Sequence, residues 1–448
     1  MSTTTHVAIS VALSDAGEAT RSLALARALR DRCPAGHELR ISFLSEGSRF
    51  EPMIEEAGFP IVPCEPRVAG GSIAEDLRPE FPELVGSQEI ARAFLEGQLA
   101  SLRDLRPHVV LHGMWPFASL AARLLDLPTI AFLPLPLHRA TMTGGMLHDL
   151  PDPVPVLTRL PRPLRRMIAR AAAPLMVRAP ILHQHRLGAA ATACGWPSEG
   201  PLSLFEAVRA DLTVVTDLPS FHTGYPVPEG FVIVGPVFAD DGAATQAGSA
   251  ELDADLVAAL RRDDLPAILL TMGSSGTSEL LLEAIRALAP PPRTVPGHDL
   301  APDDWNVVVL APPAVCPLED ARAAAAESPR VLVTDRFIPA LAANRLAAAV
   351  VSHGGQGTVQ TALAAGTPLI GVGLQMEQQI NLDHVMDAGA GIRIQRQRWR
   401  TPIIRRAVRT VLADPEYRRH AEALAGTIRT LDGAGTAAKH MWDFLLKL

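Results

Sequence analysis

The chain has 448 residues, too many for one ordinary core and enough for two or three domains. Hydrophobic residues make up 48% and charged residues 20%, which supplies apolar material for full cores and excludes a disordered or coiled-coil protein. A formal charge of -7 excludes a general nucleic-acid binder, so any anionic ligand has to be held by local features.

The segment Met1 to Leu13 has no basic stretch ahead of its short apolar run and reads as a first strand, not a signal peptide. A repeating pattern follows, in which a short apolar run ends in a polar or glycine turn and gives way to an alanine/leucine helix. It predicts strands over His6–Ala12, Leu39–Leu44, Ile61–Pro63, His108–Leu111 and Thr129–Leu133, with helices over Thr20–Asp31, Glu51–Gly58 and Phe117–Leu125. Between Thr143 and Gly200 the rhythm is lost. Leu212–Thr216 and Phe231–Gly235 resume it as two late strands. Residues 239–250, rich in Gly, Ala, Asp and Ser, read as a linker between a domain over 1–238 and one over 251–430.

The second half repeats the scheme, with strands predicted over Ala267–Thr271, Val307–Leu310, Val331–Thr334, Ala349–Ser352, Leu369–Val372 and Gly391–Ile394. Arg405–Leu412 and Tyr417–Leu431 read as closing helices, and 431–448 as a last amphipathic one. Alternation of this kind predicts an α/β chain of two Rossmann-like, doubly wound parallel-sheet domains, with ligands at the carboxyl ends of the strands, in a cleft across which the domains face. Cys33, Cys64, Cys194 and Cys316 are far apart, and His183 and His185 lack further ligands. Neither a disulfide framework nor a metal is expected, and a reducing cytoplasm fits. No run of roughly 18 apolar residues occurs, so no simple membrane span is expected.

The strongest local signal is the strand Ala349–Ser352 running into His353-Gly354-Gly355-Gln356-Gly357-Thr358 and then a helix start. Glycines let backbone N–H groups approach an anion, and a helix N-terminus adds roughly half a positive charge, so a diphosphate can be bound here without lysine. Together with Asp335-Arg336-Phe337-Ile338-Pro339, Ala365-Gly366-Thr367-Pro368 and Glu377-Gln378-Gln379-Ile380-Asn381, this run closely resembles the donor signature of the family 1 glycosyltransferases. That family comprises plant and mammalian UDP-glycosyltransferases and bacterial antibiotic-modifying enzymes, all of the two-domain GT-B fold. The resemblance is specific over about 335–391 and diffuse elsewhere.

The resemblance implies an inverting transfer from a UDP- or dTDP-sugar, a co-substrate and not a bound cofactor, to a small-molecule acceptor of natural-product type. His353, Gly354, Gly355, Gly357 and Thr358 fall at the diphosphate. Glu377 and Gln378 fall at the sugar hydroxyls, Phe337 and Ile338 at the base, and Gly273 and Ser274 on the loop over the phosphates. On the acceptor side the family's opening loop matches Ser14 to Ala26, but the residue after Gly17 is Glu18 where the family carries its histidine base. His112, at the end of a later strand, stands where the family has an aspartate. An exchanged Glu18–His112 dyad sharing a hydrogen bond is therefore expected, with Asp15 adding to the negative field and an amine acceptor left open beside a hydroxyl.

Two other readings stay open on the sequence: a nucleotide-sugar 2-epimerase on the same fold, and a GT-B-like helper that has lost catalysis. In the irregular region, Arg159, Arg162, Arg165, Arg166, Arg170, Arg178 and Arg186 are interleaved with Leu, Met, Ile and Pro. Residues 159–186 thus read as a basic amphipathic segment suited to weak contact with a membrane, an anionic acceptor or a partner, a second copy included.

Overall fold

Runs of Val, Ile and Leu that are buried on both faces make parallel strands, and the chain uses them twice. The computed structural model describes residues 3–69, 73–152, 157–238, 252–289, 305–326 and 328–448. The predicted linker 239–250 lies outside the described residues. The strands of the first half are β1 (Thr3–Ser10), β2 (His37–Ser45), β3 (Ile61–Pro63), β4 (Val109–His112), β5 (Thr129–Leu133), β6 (His183–Gln184), β7 (Leu202–Ser203), β8 (Leu212–Val215) and β9 (Phe231–Ile233). Those of the second are β10 (Ala267–Thr271), β11 (Asn306–Leu310), β12 (Val331–Thr334), β13 (Ala349–Ser352), β14 (Leu369–Gly371) and β15 (Gly391–Arg393).

One sheet runs β3-β2-β1-β4-β5-β8-β9 and the other β12-β11-β10-β13-β14-β15, every neighbouring pair parallel. The short β6 and β7 pair antiparallel by themselves in the region where the predicted rhythm fails. In each sheet the winding direction reverses once, between β1 and β4 and between β10 and β13. Loops leaving the carboxyl ends of strands at such a reversal diverge and leave a crevice.

The chain divides into two compact units. The first comprises Met1–Met146, Arg170–Ala239 and Asp432–Leu448, the second Leu147–Ala169 and Asp240–Leu431. Both departures from a simple halving have a physical cause. The last helix, Gly433–Leu445, lays Ala437, Ala438, Met441 and Trp442 into the core of the first unit against the helix Ala16–Asp31. There the Trp442 indole N–H donates to Leu29 O at 2.9 Å, and Arg32 pairs with Asp432 at 2.7 Å. Burying the indole, with its N–H satisfied, contributes about 2–3 kcal/mol.

Residues 147–169 join the second unit through charge. The Arg393 side chain, 1% exposed, holds Asp152 at 2.9 Å and Asp383 at 3.0 Å, with Asp149 at 3.8 Å. Arg165 grips Asp149 with two bonds of 2.7 Å. Arg162 and Arg166 reach Asp387, which also bonds His148. Much of the predicted basic surface is therefore spent internally, since Arg162, Arg165 and Arg166 face aspartates of their own unit and Arg186 pairs with Glu80. Among the described residues no helix is long and apolar enough to cross a membrane.

The helix Gln88–Leu105 is absent from the predicted elements. Ser87 caps it by accepting from Ile90 N–H, and Phe94, Leu95, Leu99 and Leu102 pack it on the sheet. Its apolar stripe is interrupted by Gln98, which is fully buried and carries a polar network described below.

Candidate active site

The two predicted clusters of site residues each fall at a winding reversal of their own unit. In the second unit, β10 leads into Gly273 and Ser274, and its neighbour β13 leads into His353. In the first, Ser10 ends β1 and pairs in register with His112, which ends β4.

The turn expected to hold the donor is built around the His353 ring, which is 4% exposed. A Cβ on Gly273 would come within 2.4 Å of the His353 Cε1, and one on Gly355 within 2.4 Å of its Nε2. Both glycines are therefore required by the histidine, quite apart from any ligand, and Gly273 also adopts φ +58. Gly355 then serves as the N-cap of the helix Gln356–Ala364 with no side chain closing the helix end. Gly357 is exposed and Thr358 half-buried in its first turn. The aligned peptide dipoles of a helix start of this kind favour an anion beside it.

Around it, Gln378 and Asn381 brace the loops. The Gln378 Oε1 accepts from Leu374 N–H at 2.9 Å and Gln375 N–H at 3.2 Å, while its Nε2 donates to Ser275 Oγ at 3.2 Å. Gln378, expected at the sugar hydroxyls, is 2% exposed and has its amide engaged at both ends. Asn381, one helical turn after Glu377, donates to Glu377 Oε1 at 2.5 Å and to Gly354 O at 3.0 Å. It orients the half-buried Glu377 carboxylate and was identifiable in the sequence from its i+4 spacing. Of the pair expected at the base, Ile338 is core at 6% exposed whereas Phe337 is 82% exposed.

In the first unit, where the acceptor is expected, Asp15 caps the helix Ala16–Asp31 through Oδ1, which accepts from Glu18 N–H at 3.0 Å. Glu18 points back at the end of β4, where its Oε1 accepts from Met114 N–H at 3.2 Å. A Cβ on Gly113 would overlap the Glu18 carboxylate, so the glycine makes room for it. The expected hydrogen bond between Glu18 and His112 is not formed. His112 Nδ1–H donates to Gly113 O at 2.9 Å, which leaves Nε2 as the basic nitrogen, and both this Nε2 and Glu18 Oε2 are buried without a partner.

Burial pushes the Glu18 carboxyl up to about 7, opposed by the Arg21 cation and reinforced by Asp15. Burial also pushes the His112 imidazole down to about 4. Each change disfavours the charged form of a desolvated group. Asp15 thus acts on Glu18 through its charge and through the helix cap.

A network that sequence reasoning missed lies at the same strand ends: Ser10 Oγ donates to Gln98 Oε1 at 2.9 Å, and Gln98 Nε2 donates to Glu46 Oε1 at 2.7 Å. The only signal for it is a glutamine on an otherwise apolar helix face. Burial raises the Glu46 carboxyl from 4.5 to about 7. The folded state therefore binds a proton more tightly than the unfolded one, and stability falls as pH rises from about 4.5 to 7. Glu46→Gln keeps the accepting oxygen and removes the charge. It is expected to match the parent at pH 4.5 and to exceed it by on the order of 1–3 kcal/mol at pH 8, as read by urea unfolding.

A family model described as erythromycin biosynthesis protein CIII-like, C-terminal domain, matches residues 314–430. A PGL/p-HBAD biosynthesis glycosyltransferase of Mycobacterium tuberculosis is 29% identical over 341 residues, 75% of this chain and 70% of the relative. A PGL/p-HBAD biosynthesis rhamnosyltransferase of Mycobacterium bovis is 29% identical over 346 residues, 75% of this chain and 66% of the relative. Among solved structures, the calicheamicin glycosyltransferase covers 99% of both chains at 20% identity with a TM-score of 0.59. An O. sativa protein solved with U2F and trichothecene covers 98% of this chain and 99% of its own at 16% identity with a TM-score of 0.64. These structures show the fold, and the sequence relatives are transferases, not epimerases. Two parallel sheets, a glycine-led helix end at the reversal of the second, and glycosyltransferase relatives across three quarters of the chain mark it as a glycosyltransferase of the GT-B fold, similar to the family 1 enzymes.

Proposed function

We propose that this glycosyltransferase inverts the anomeric centre of a UDP- or dTDP-sugar and delivers the sugar to a small natural-product hydroxyl, with the second unit holding the donor and Glu18 of the first as base. The observation that carries the donor reading is the N-terminus of the helix Gln356–Ala364, capped by the side-chain-free Gly355 beside a buried His353. Diphosphate charge developing on the leaving group meets that helix end, where backbone N–H groups need no reorganisation. The acceptor O–H gives its proton to Glu18 Oε2, the new O–C1 bond forms, and the C1–O bond to the diphosphate breaks on the opposite face.

Glu18 is favoured over His112 as base because a group near 7 is a far better proton acceptor than one near 4 at neutral pH. A hydroxyl acceptor is favoured over an amine because Arg21 already supplies a cation beside Glu18. A structural neighbour solved in complex with dTDP and relatives named for PGL/p-HBAD biosynthesis support the donor and acceptor classes. The four cysteines are free thiols, in keeping with a cytoplasmic enzyme.

Native mass spectrometry against a panel of nucleotide sugars, followed by proton NMR of the product with the preferred donor, tests the reading. A product with inverted anomeric configuration is expected. Retention of configuration overturns the mechanism, and donor binding without turnover on any acceptor favours the helper reading. Phe337 provides a separate check, since its exposed ring is free to stack on a base. Phe337→Ala is expected to raise the donor KM about five- to tenfold with kcat and melting temperature unchanged. An unaltered KM removes the stacking role.

A further inference from the structure

The helix Arg162–Met176 shows solvent the face that a surface helix ordinarily buries. Its inner side carries Arg162, Arg165 and Arg166 on the aspartates already described, and Ala169 and Ala173 are fully buried. The outer side carries Leu164, Met167, Ala171 and Leu175, with Met167 61% and Leu175 73% exposed. Ile181, 40% exposed, follows shortly after the helix ends. Of the ten large hydrophobic side chains exposed among the described residues, four fall between 164 and 181. In the usual arrangement the apolar stripe faces the core and the charges face water, so the helix is turned inside out. The internal aspartates are what hold it that way round.

The charges that the segment 157–186 itself carries are of one sign. Arg159, Arg170 and Arg178 are exposed, and residues 157–186 contain no Asp or Glu, although the whole chain carries a net charge of -7. Exposed apolar residues grouped on one face mark an interaction surface. Three exposed arginines on a stretch that has no acid of its own favour an anionic partner for it. A second copy of this face would set arginine against arginine under two-fold symmetry, which disfavours self-association. A lipid surface instead offers anionic headgroups directly above an apolar layer, the arrangement that matches cations flanking Leu164, Met167 and Leu175.

We propose that the outer face of the helix Arg162–Met176, continued to Ile181, docks the enzyme reversibly on an anionic lipid surface. The side chains of Met167 and Leu175 enter the acyl boundary, and Arg159, Arg170 and Arg178 meet the headgroups. One helix face and three cations give weak, salt-sensitive binding and no stable anchor.

Co-sedimentation of the full chain with vesicles of phosphatidylcholine alone, and of phosphatidylcholine mixed with phosphatidylglycerol, tests this. The parent is expected to pellet with the mixed vesicles at low salt and to stay largely in solution with phosphatidylcholine alone. Met167→Asp combined with Leu175→Asp is expected to weaken pelleting at least tenfold. Arg170→Glu combined with Arg178→Glu is expected to weaken it about tenfold, and high salt to have the same effect on the parent. Unchanged melting temperature and nucleotide-sugar binding in both variants exclude unfolding as the cause. Failure of the parent to pellet with the mixed vesicles overturns the proposal, as does equal pelleting of the variants. A concentration-dependent dimer abolished by Met167→Asp, without vesicle binding, also overturns it and assigns the face to a second copy.

Discussion

Glu18→Gln is expected to lower kcat for sugar transfer by about 10²- to 10⁴-fold while leaving nucleotide-sugar affinity within about twofold. The amide keeps the shape of the side chain and the oxygen that accepts from Met114 N–H, so neither the helix Ala16–Asp31 nor the end of β4 has reason to move. What it removes is the proton acceptor. In the parent the carboxyl lies near 7, and only its ionised form is a base, so kcat/KM is expected to rise with pH through about 7 and then level off. That rising limb should vanish in Glu18→Gln. His112→Ala should leave the limb in place, because an imidazole near 4 is neutral across the whole range. Pre-steady-state turnover measured from pH 5.5 to 8.5 separates the two residues. A limb retained in Glu18→Gln and lost in His112→Ala assigns the base to the histidine.

Arg393→Met is expected to destabilise the protein by about 3–5 kcal/mol at pH 8, because removing the cation strands buried carboxylates that the remaining arginines do not neutralise. Asp152 and Asp383 lose their shortest ion pairs, while Asp149 keeps Arg165. Burial already lifts Asp383 to about 6, and Arg393 is the charge that holds it from rising further. The variant's penalty therefore grows as pH rises through about 6 and above, and shrinks in acid, where the stranded groups bind protons in the folded state. Differential scanning calorimetry at pH 5 and pH 8 reads this directly. A fall of roughly 10 °C is expected at pH 8 and clearly less at pH 5. A melting temperature within about 2 °C of the parent at pH 8 would show that residues 147–169 are held in place by something other than these charges.

Much of the fold was legible because its signals are local. Ala267–Thr271, Val331–Thr334 and Ala349–Ser352 are continuous apolar runs with sharp polar or glycine ends, and the strands occupy those bounds. The strand–turn–helix form of the run from Ala349 to Ala364 was legible for the same reason, since His353, Gly354 and Gly355 are adjacent in sequence and in space. What escaped depends on distant partners. Ser10 and Gln98 are 88 positions apart, Gln98 and Glu46 52, and Arg393 and Asp152 241, and no periodicity announces such pairs. The Glu18–His112 pairing failed for a finer reason. Glu18, in the first turn of the helix Ala16–Asp31, does turn toward the end of β4, but one of its oxygens accepts from Met114 N–H and the imidazole Nδ1–H donates to the adjacent Gly113 carbonyl. The orientation of the arginine-bearing helix was likewise hidden, because its basic stripe reads as solvent-facing until Asp383 and Asp387, more than 200 positions later, are brought beneath it.

The return of the helix Gly433–Leu445 to the first unit has a consequence for vectorial synthesis. A ribosome releases the sheet β1 to β9 well before residues 433–445 exist, so the groove over the helix Ala16–Asp31 that Met441, Trp442 and Leu445 fill stays open while the second unit is translated. The first unit therefore completes its core only after the C-terminal helix has been made and has left the ribosome.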